Sequence, residues 1–188
     1  MILVVAATAR ELEYVEGAET LECGIGPVEA ALATARRLMP GTVDGAVDAI
    51  LHIGIAGART LPASTVVIGS EAVYCDVLDA ASTMPRIERT AADPALLERA
   101  RRALPQASVL PIATSARVGG GTECDVEAME GFGVLRAAAL AGVPAVEVRA
   151  VSNAVAEPDR TRWSIDGALE ALAGALPALL AELEKPDA

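Results

Sequence analysis

The chain alternates between short unbroken apolar runs and longer stretches in which Ala and Leu recur at helical spacing. Five runs read as buried strands: ILVVAA at 2–7, AILHIGIA at 49–56, TVVIGSEAVY at 65–74, SVLPIAT at 108–114 and PAVEVRAVS at 144–152. Between and after them, helical spacing predicts helices over 28–38, 94–103, about 134–141 and 165–183. Pro27 stands at the first position of the helix after GIGP, where its missing N–H costs nothing. Leu169, Leu172, Leu176, Leu179 and Leu183 form one stripe on the last helix, a core face that Pro177 is expected to kink. Strands alternating with helices predict an α/β fold with a largely parallel sheet. No repeat or linker divides the chain, so residues 1–188 are expected to form one domain, with 83–89 as its most exposed loop.

Composition narrows this picture. At 188 residues the chain is long enough for a real core, and with only four aromatics that core must be built from Ala, Val, Leu and Ile. A net charge of −11 argues against a nucleic-acid binder, which needs a basic face. Cys23, Cys75 and Cys124 are odd in number and widely spaced, which indicates neither a disulfide framework nor a zinc site and fits a reducing compartment. No apolar stretch approaches the roughly 20 residues that span a bilayer. A cytoplasmic location, without a membrane partner, is the expectation.

Local patterns taken singly favour plain structural roles. TARE at 8–11 fits a capping box in which Glu11 reaches back to the Thr8 N–H. His52 is the only histidine, which rules out a His-based metal cluster or a Ser-His-Asp triad; a satisfied core residue is the simpler reading. CGIGPVEAA lacks the third glycine of a dinucleotide-binding turn, having Glu29 there. GIAG at 54–57 reads either as a tight strand-to-loop turn or as a place where a ligand or second backbone comes close. EAMEGFG at 127–133 reads as a solvated acidic helix start beside a Met–Phe pair, and RTRWS at 160–164 as a tryptophan anchor followed by a Ser164 cap. One feature resists such readings: the apolar run at 146–155 is broken by Arg149, Ser152 and Asn153, where burial makes polar groups costly.

In order along the chain, AATARELE, GIGPVEAA, HIGIAGA, GSEAVYCDVLD, and VEAMEGFG followed by VPAVEVRAVSNAV resemble the purine nucleoside phosphorylase and methylthioadenosine nucleosidase superfamily. Within it, EAMEGFG and VRAVSNAV with DRTRW look most like the futalosine hydrolases, which remove hypoxanthine from futalosine in an alternative route to menaquinone. The resemblance implies a three-layer α/β/α sandwich with a mixed, mostly parallel central sheet, a nucleoside substrate, no cofactor or metal, and a homo-oligomer with sites near the interface. It implies Glu11 as the acid that activates water, and Met129 and Glu130 as the residues against the ribose and its 2′ and 3′ hydroxyls. It further implies Arg149 beside the nucleophile, Ser152 as the neighbour that orients the base reader, and Asn153 as that reader.

Departures from the family pattern carry information. Adenine-releasing relatives have an aspartic acid where this chain has Asn153; a carboxamide offers an N–H to O6 and a carbonyl to protonated N7, which suits a 6-oxopurine. Ile55 stands where relatives usually have a serine or threonine, which removes a hydroxyl that would serve phosphate and favours hydrolysis over phosphorolysis. TSARVGGG at 114–121 has no aromatic where relatives place one over the purine, leaving Val118, the glycine backbone or a partner subunit to cover the base. The chain is also shorter than relatives after Asp79, on the 5′ side of the substrate. A purine nucleoside phosphorylase, a methylthioadenosine/S-adenosylhomocysteine nucleosidase and a non-catalytic nucleoside-binding protein are the alternatives.

Overall fold

A computed structural model describes residues 1–41, 46–77, 83, 85–119 and 122–185. Its strands are β1 (Ile2–Ala6), β2 (Glu19–Glu22), β3 (Ala49–Ala58), β4 (Val66–Tyr74), β5 (Arg89–Ala91), β6 (Ser108–Thr114), β7 (Val126–Ala128) and β8 (Ala145–Ala154). Its helices are α1 (Ala9–Leu12), α2 (Pro27–Leu38), α3 (Pro94–Ala103), α4 (Gly131–Ala141) and α5 (Ile165–Leu183). The five long strands and four long helices lie where the apolar rhythm puts them, with Pro27 opening α2. Strands β2, β5 and β7 escape that rhythm because ETLE, RTA and VEA are too short to show an alternation. Pro177 lies inside α5, which runs on to Leu183. Thr83 and residues 85–87 are exposed, as expected of that loop; residues 78–82, with Asp79, lie outside the described ones.

The sheet is mixed and mostly parallel. β1 pairs in parallel with β2 and β3, β3 with β8, and β6 with β4 and β7, whereas β5 and β8 lie antiparallel to β4 and β7 antiparallel to β3. Because β8 pairs both β3 and β4, the strands β3, β8, β4, β6 and β7 close into a ring.

Alternation along the strands sorts the side chains into two layers and an interior. Ile2, Val4 and Ala6 of β1, Leu51 and Ile53 of β3, and Val146, Val148 and Ala150 of β8 meet the leucine stripe of α5. On the opposite face Leu3, Val5 and Ile50 meet Ala30 of α2 and Val134 and Leu135 of α4. Inside the ring, Ala56, Val67, Ile112, Val126 and Val151 pack on one another.

Helices α2 and α4 pack unusually close, and Gly133 is the reason. A Cβ there would lie 2.5 Å from the Pro27 carbonyl oxygen and 3.1 Å from the Ala31 nitrogen, both backbone atoms that cannot swing aside. This contact holds the start of α2 against the start of α4, where Gly26 and Glu130 meet. A Gly133→Ala substitution is expected to cost about 1–3 kcal/mol, the usual range for overpacking. Urea denaturation should show that loss as a lowered midpoint with an unchanged slope.

Candidate active site

The site begins with the parallel pairing of β3 and β8. His52 registers with Glu147 and Gly54 with Arg149, so a histidine, a glutamate and an arginine lie side by side on the face toward α2 and α4. All three are buried, Arg149 to 1% exposure and the other two completely. A guanidinium so deep demands partners on every nitrogen. Arg149 Nε donates to Glu147 Oε1 at 2.8 Å, Nη2 approaches His52 Nε2 at 2.5 Å and Glu130 Oε2 at 3.3 Å, and Nη1 donates to the Ile55 carbonyl at 3.4 Å.

Electrostatics follow from this packing. Burial works against the Arg149 charge, but Glu147, Glu130 and Glu11 outweigh it and raise its pKa further. His52 is pushed the other way, by burial and then by the Arg149 charge, so its ring is neutral. Its Nδ1 lies 2.9 Å from the Val5 carbonyl, which fixes the proton there and leaves Nε2 as an acceptor for Arg149. Burial also raises the Glu147 carboxyl, against the pull of Arg149, and its Oε2 has no hydrogen-bond partner among the described residues. A Cβ on Gly131 would lie 2.3 Å from that oxygen, so only a glycine at the start of α4 leaves room for it.

Gly54 performs the same service on the other side. A Cβ there would meet Arg149 Nη1 at 2.2 Å and Glu11 Oε1 at 2.7 Å, which shows how closely the guanidinium and this second carboxylate converge over β3. Glu11 Oε1 accepts from the Ile55 N–H at 3.0 Å; Oε2 accepts from the Thr8 N–H at 3.0 Å and the Thr8 hydroxyl at 2.9 Å. The capping-box contact therefore exists, and it is also what aims Glu11. Ile55 contributes through its backbone on both sides, to Glu11 and to Arg149, so the absence of a hydroxyl there leaves these contacts intact.

Past Gly54 the register of β3 and β8 breaks. Ala56 pairs with Val151 but Gly57 pairs with Asn153, so Ser152 is the extra residue of a bulge. Neighbouring side chains in a regular strand point to opposite faces; the bulge lets Ser152 and Asn153 line the same cleft. The Ser164 N–H takes up the Ser152 carbonyl at 2.8 Å. Ser152 Oγ stands 2.8 Å from Asn153 Oδ1 and 3.2 Å from the Ala56 carbonyl, and its single proton goes to the closer oxygen. Asn153 Nδ2 donates to the Ala154 carbonyl at 3.0 Å. These two bonds set the amide one way round, with one N–H and one lone pair left for a ligand. A Cβ on Gly57 would lie 3.2 Å from Nδ2, so this glycine too makes room.

These groups surround a cleft of about 450 Å³. Glu11, Ile55, Val118, Met129, Glu130, Ser152 and Asn153 line it, as the sequence reading expects. Arg149 does not. It lies beneath the floor, buried to 1% exposure, and reaches Glu130 and the Ile55 carbonyl from below. Three structural readings are also corrected. EAMEGFG is no solvated helix start, since Glu127 and Glu130 are buried; Glu127 Oε1 accepts the Gly119 N–H at 2.6 Å and Glu130 Oε1 the Gly26 N–H at 3.1 Å. Gly54 to Gly57 form no turn, because β3 continues through them. Ser164 holds the N-cap position of α5 without a side-chain cap bond.

Other residues of the site have weak sequence signals or none. His52 is indeed a satisfied core residue, but its acceptor nitrogen serves Arg149. Glu147 was visible only as a charge in an apolar run. Trp163 is anchored as expected, with Nε1 donating to the Glu157 carbonyl at 3.2 Å, yet it also lines the cleft, with the Arg160 guanidinium 5.4 Å from its ring centroid. Cys23, buried nearby, has its thiol pushed up to about 12 by burial and then by Glu130. It stays protonated.

Known proteins resemble this chain in sequence and in fold. The model of the phosphorylase superfamily matches residues 20–183. Futalosine hydrolase of Streptomyces coelicolor is 34% identical over 90% of this chain and 81% of its own length. Among solved structures, a futalosine hydrolase mutant of Helicobacter pylori superposes with a TM-score of 0.84 at 17% identity, covering 97% of this chain and 99% of that one. The methylthioadenosine/S-adenosylhomocysteine nucleosidase of Streptococcus pneumoniae, solved with 8-aminoadenine, gives a TM-score of 0.82 at 23% identity, again over 97% and 99%. With its α/β sandwich, its ring of strands and nearly all of its length accounted for, the chain belongs to the phosphorylase superfamily.

Proposed function

We propose that this protein is a futalosine hydrolase that releases hypoxanthine by attack of water on C1′ of the ribose. Cleaving a purine N-glycosidic bond builds positive charge on the sugar and negative charge on the leaving base, so both ends need stabilisation. The cationic end faces Glu11 and Glu130. Glu11, aimed by three donors, takes the proton of the attacking water, and Glu130 accepts hydrogen bonds from the 2′ and 3′ hydroxyls beside Met129. Arg149 holds Glu130 from below and, with the Ile55 N–H, keeps the two carboxylates from relaxing apart.

The anionic end rests on Asn153, the observation that carries this reading. Bonded to Ser152 and Ala154 as it is, its amide presents a spare N–H to O6 and a spare lone pair to the N–H formed when N7 takes a proton from solvent as the base leaves. That proton balances the one that Glu11 takes from water and returns to solvent. An aminopurine would set donor against donor at position 6 and leave buried groups unpaired, the kind of mismatch that discriminates by roughly 10⁴. The similarity to the Streptomyces coelicolor futalosine hydrolase supports the same substrate.

A homo-oligomer is part of this proposal. Ile25, just before α2, and Val28 and Leu32 on it expose 62–65% of their surface, and Leu140 of the adjoining α4 exposes 72%. An exposed apolar patch of this kind marks an interaction surface, and a second copy of the chain is the cover that this reading assigns to it. Ile25 also lines the cleft, which places the interface at the site's edge.

Three outcomes check these statements. Chromatography should detect free hypoxanthine from futalosine at a rate that added phosphate leaves unchanged, and Glu11→Gln should slow it by about 10²–10⁴-fold, the usual contribution of a positioned base; dependence on phosphate would instead make the enzyme a phosphorylase. Asn153→Asp should move preference toward methylthioadenosine, read as the ratio of adenine to hypoxanthine released under competition; an unmoved ratio refutes the base-reading role. In light scattering, Leu32→Glu should convert an oligomer to monomers of about 19 kDa, and a wild-type monomer would refute the interface.

A further inference from the structure

The cleft carries opposite charges at its two ends. Inside stand the carboxylates of Glu11, Glu127 and Glu130; at its mouth stand the side chains of Arg10, Arg117 and Arg160. In a chain of net charge −11 such an accumulation of guanidinium groups is selective. Arg10 is neutralised by Asp166, and Arg162, beside Arg160, by Glu157 at 3.4 Å and Asp159 at 3.9 Å. Among the described residues Arg117 and Arg160 have no such acid, and both are exposed.

The two unneutralised arginines belong to one continuous lip. Arg117 lies on the loop after β6, where Gly119 closes on the Val155 carbonyl, 3.4 Å from the position of a Cβ. Arg160 opens a 3₁₀ turn, Arg160–Arg162, whose Asp159 side chain caps it through the Thr161 N–H at 3.0 Å. Trp163 ties this turn back to Glu157, two residues beyond Val155. Arg160 stacks on the Trp163 ring, which holds the guanidinium plane in place at little entropic cost.

We propose that Arg117, Arg160 and Trp163 form a subsite for an aryl carboxylate carried on the 5′ arm of the substrate. This rests on the reading of the cleft as a nucleosidase site. With the base on Asn153 and the diol on Glu130, the 5′ carbon is the part of the nucleoside left to face the mouth. A carboxylate on that arm is repelled by the acidic interior and received by the arginines, so charge alone sets the substrate's direction of entry. The forked guanidinium matches a carboxylate in geometry, and the indole offers a flat apolar surface to an attached ring. Futalosine, whose 5′ substituent bears a benzoate, is a nucleoside of this kind; methylthioadenosine is not.

The test compares two 6-oxopurine nucleosides, futalosine and inosine, which share the base and the diol but differ in the arm. In Arg117→Gln and in Arg160→Gln, kcat/KM for futalosine relative to inosine should fall about tenfold or more each, the worth of one hydrogen bond to a charged group, with the loss in KM. An equal fall with both substrates, or an unchanged ratio, overturns the subsite. A turnover-free measurement separates this proposal from the assignment of futalosine itself: saturation-transfer NMR with benzoate as the probe. Benzoate binding to the wild type that is lost in the Arg117→Gln/Arg160→Gln double variant supports the subsite even where no hypoxanthine is released. Absence of benzoate binding, or its displacement by inorganic phosphate with the futalosine ratio unchanged, refutes it.

Discussion

A single buried guanidinium organises this protein's site. Arg149 cannot remain charged in the interior without compensating groups, and the groups that compensate it are Glu147, Glu130, His52 and the Ile55 carbonyl. They come from three stretches of chain: β8, β3 and the start of α4. The fold must therefore bring β3, β8 and the start of α4 to one point before the arginine can be buried, and once it has, Glu130 is pinned between Arg149 below and the Gly26 N–H above. The carboxylate that lines the cleft inherits its position from a residue absent from that lining.

Missing side chains matter here as much as present ones. Gly54, Gly57, Gly131 and Gly133 each remove a Cβ that would collide with a functional group or with the backbone that carries one. The bulge at Ser152 adds a second backbone device, turning two consecutive residues toward one cleft. Specific recognition needs groups held to fractions of an ångström, and here that tolerance is met by main-chain geometry and not by loops free to adjust.

Much of the architecture was legible in the sequence because long buried strands and amphipathic helices announce themselves by period. The short polar strands β2, β5 and β7 had no period to show. At the site, the ordered motifs identified every cleft-lining residue the reading singled out, from Glu11 to Asn153. Legibility failed where a role depends on which side of the cleft wall a residue occupies. Arg149 reads as a site residue in sequence, yet the pleat directs it beneath the floor, and nothing in VEVR announces that Glu147 is its partner. Trp163 illustrates the converse: as the tryptophan just before the last helix it reads as an anchor, while its exposure to the cleft depends on where Glu157 holds the indole.

The pairing of β3 with β8 joins segments separated by roughly a hundred residues of chain, and it closes the ring of strands. Contacts of such long sequence separation form slowly, because the loop they close must lose its entropy before any contact rewards it. Glu11 comes from the beginning of the chain, Asn153 from near its end, and the register that brings them together exists only when that ring is shut. A chain in which β3 and β8 have not yet paired consequently has no rudimentary version of the site, because its two halves meet only through that pairing.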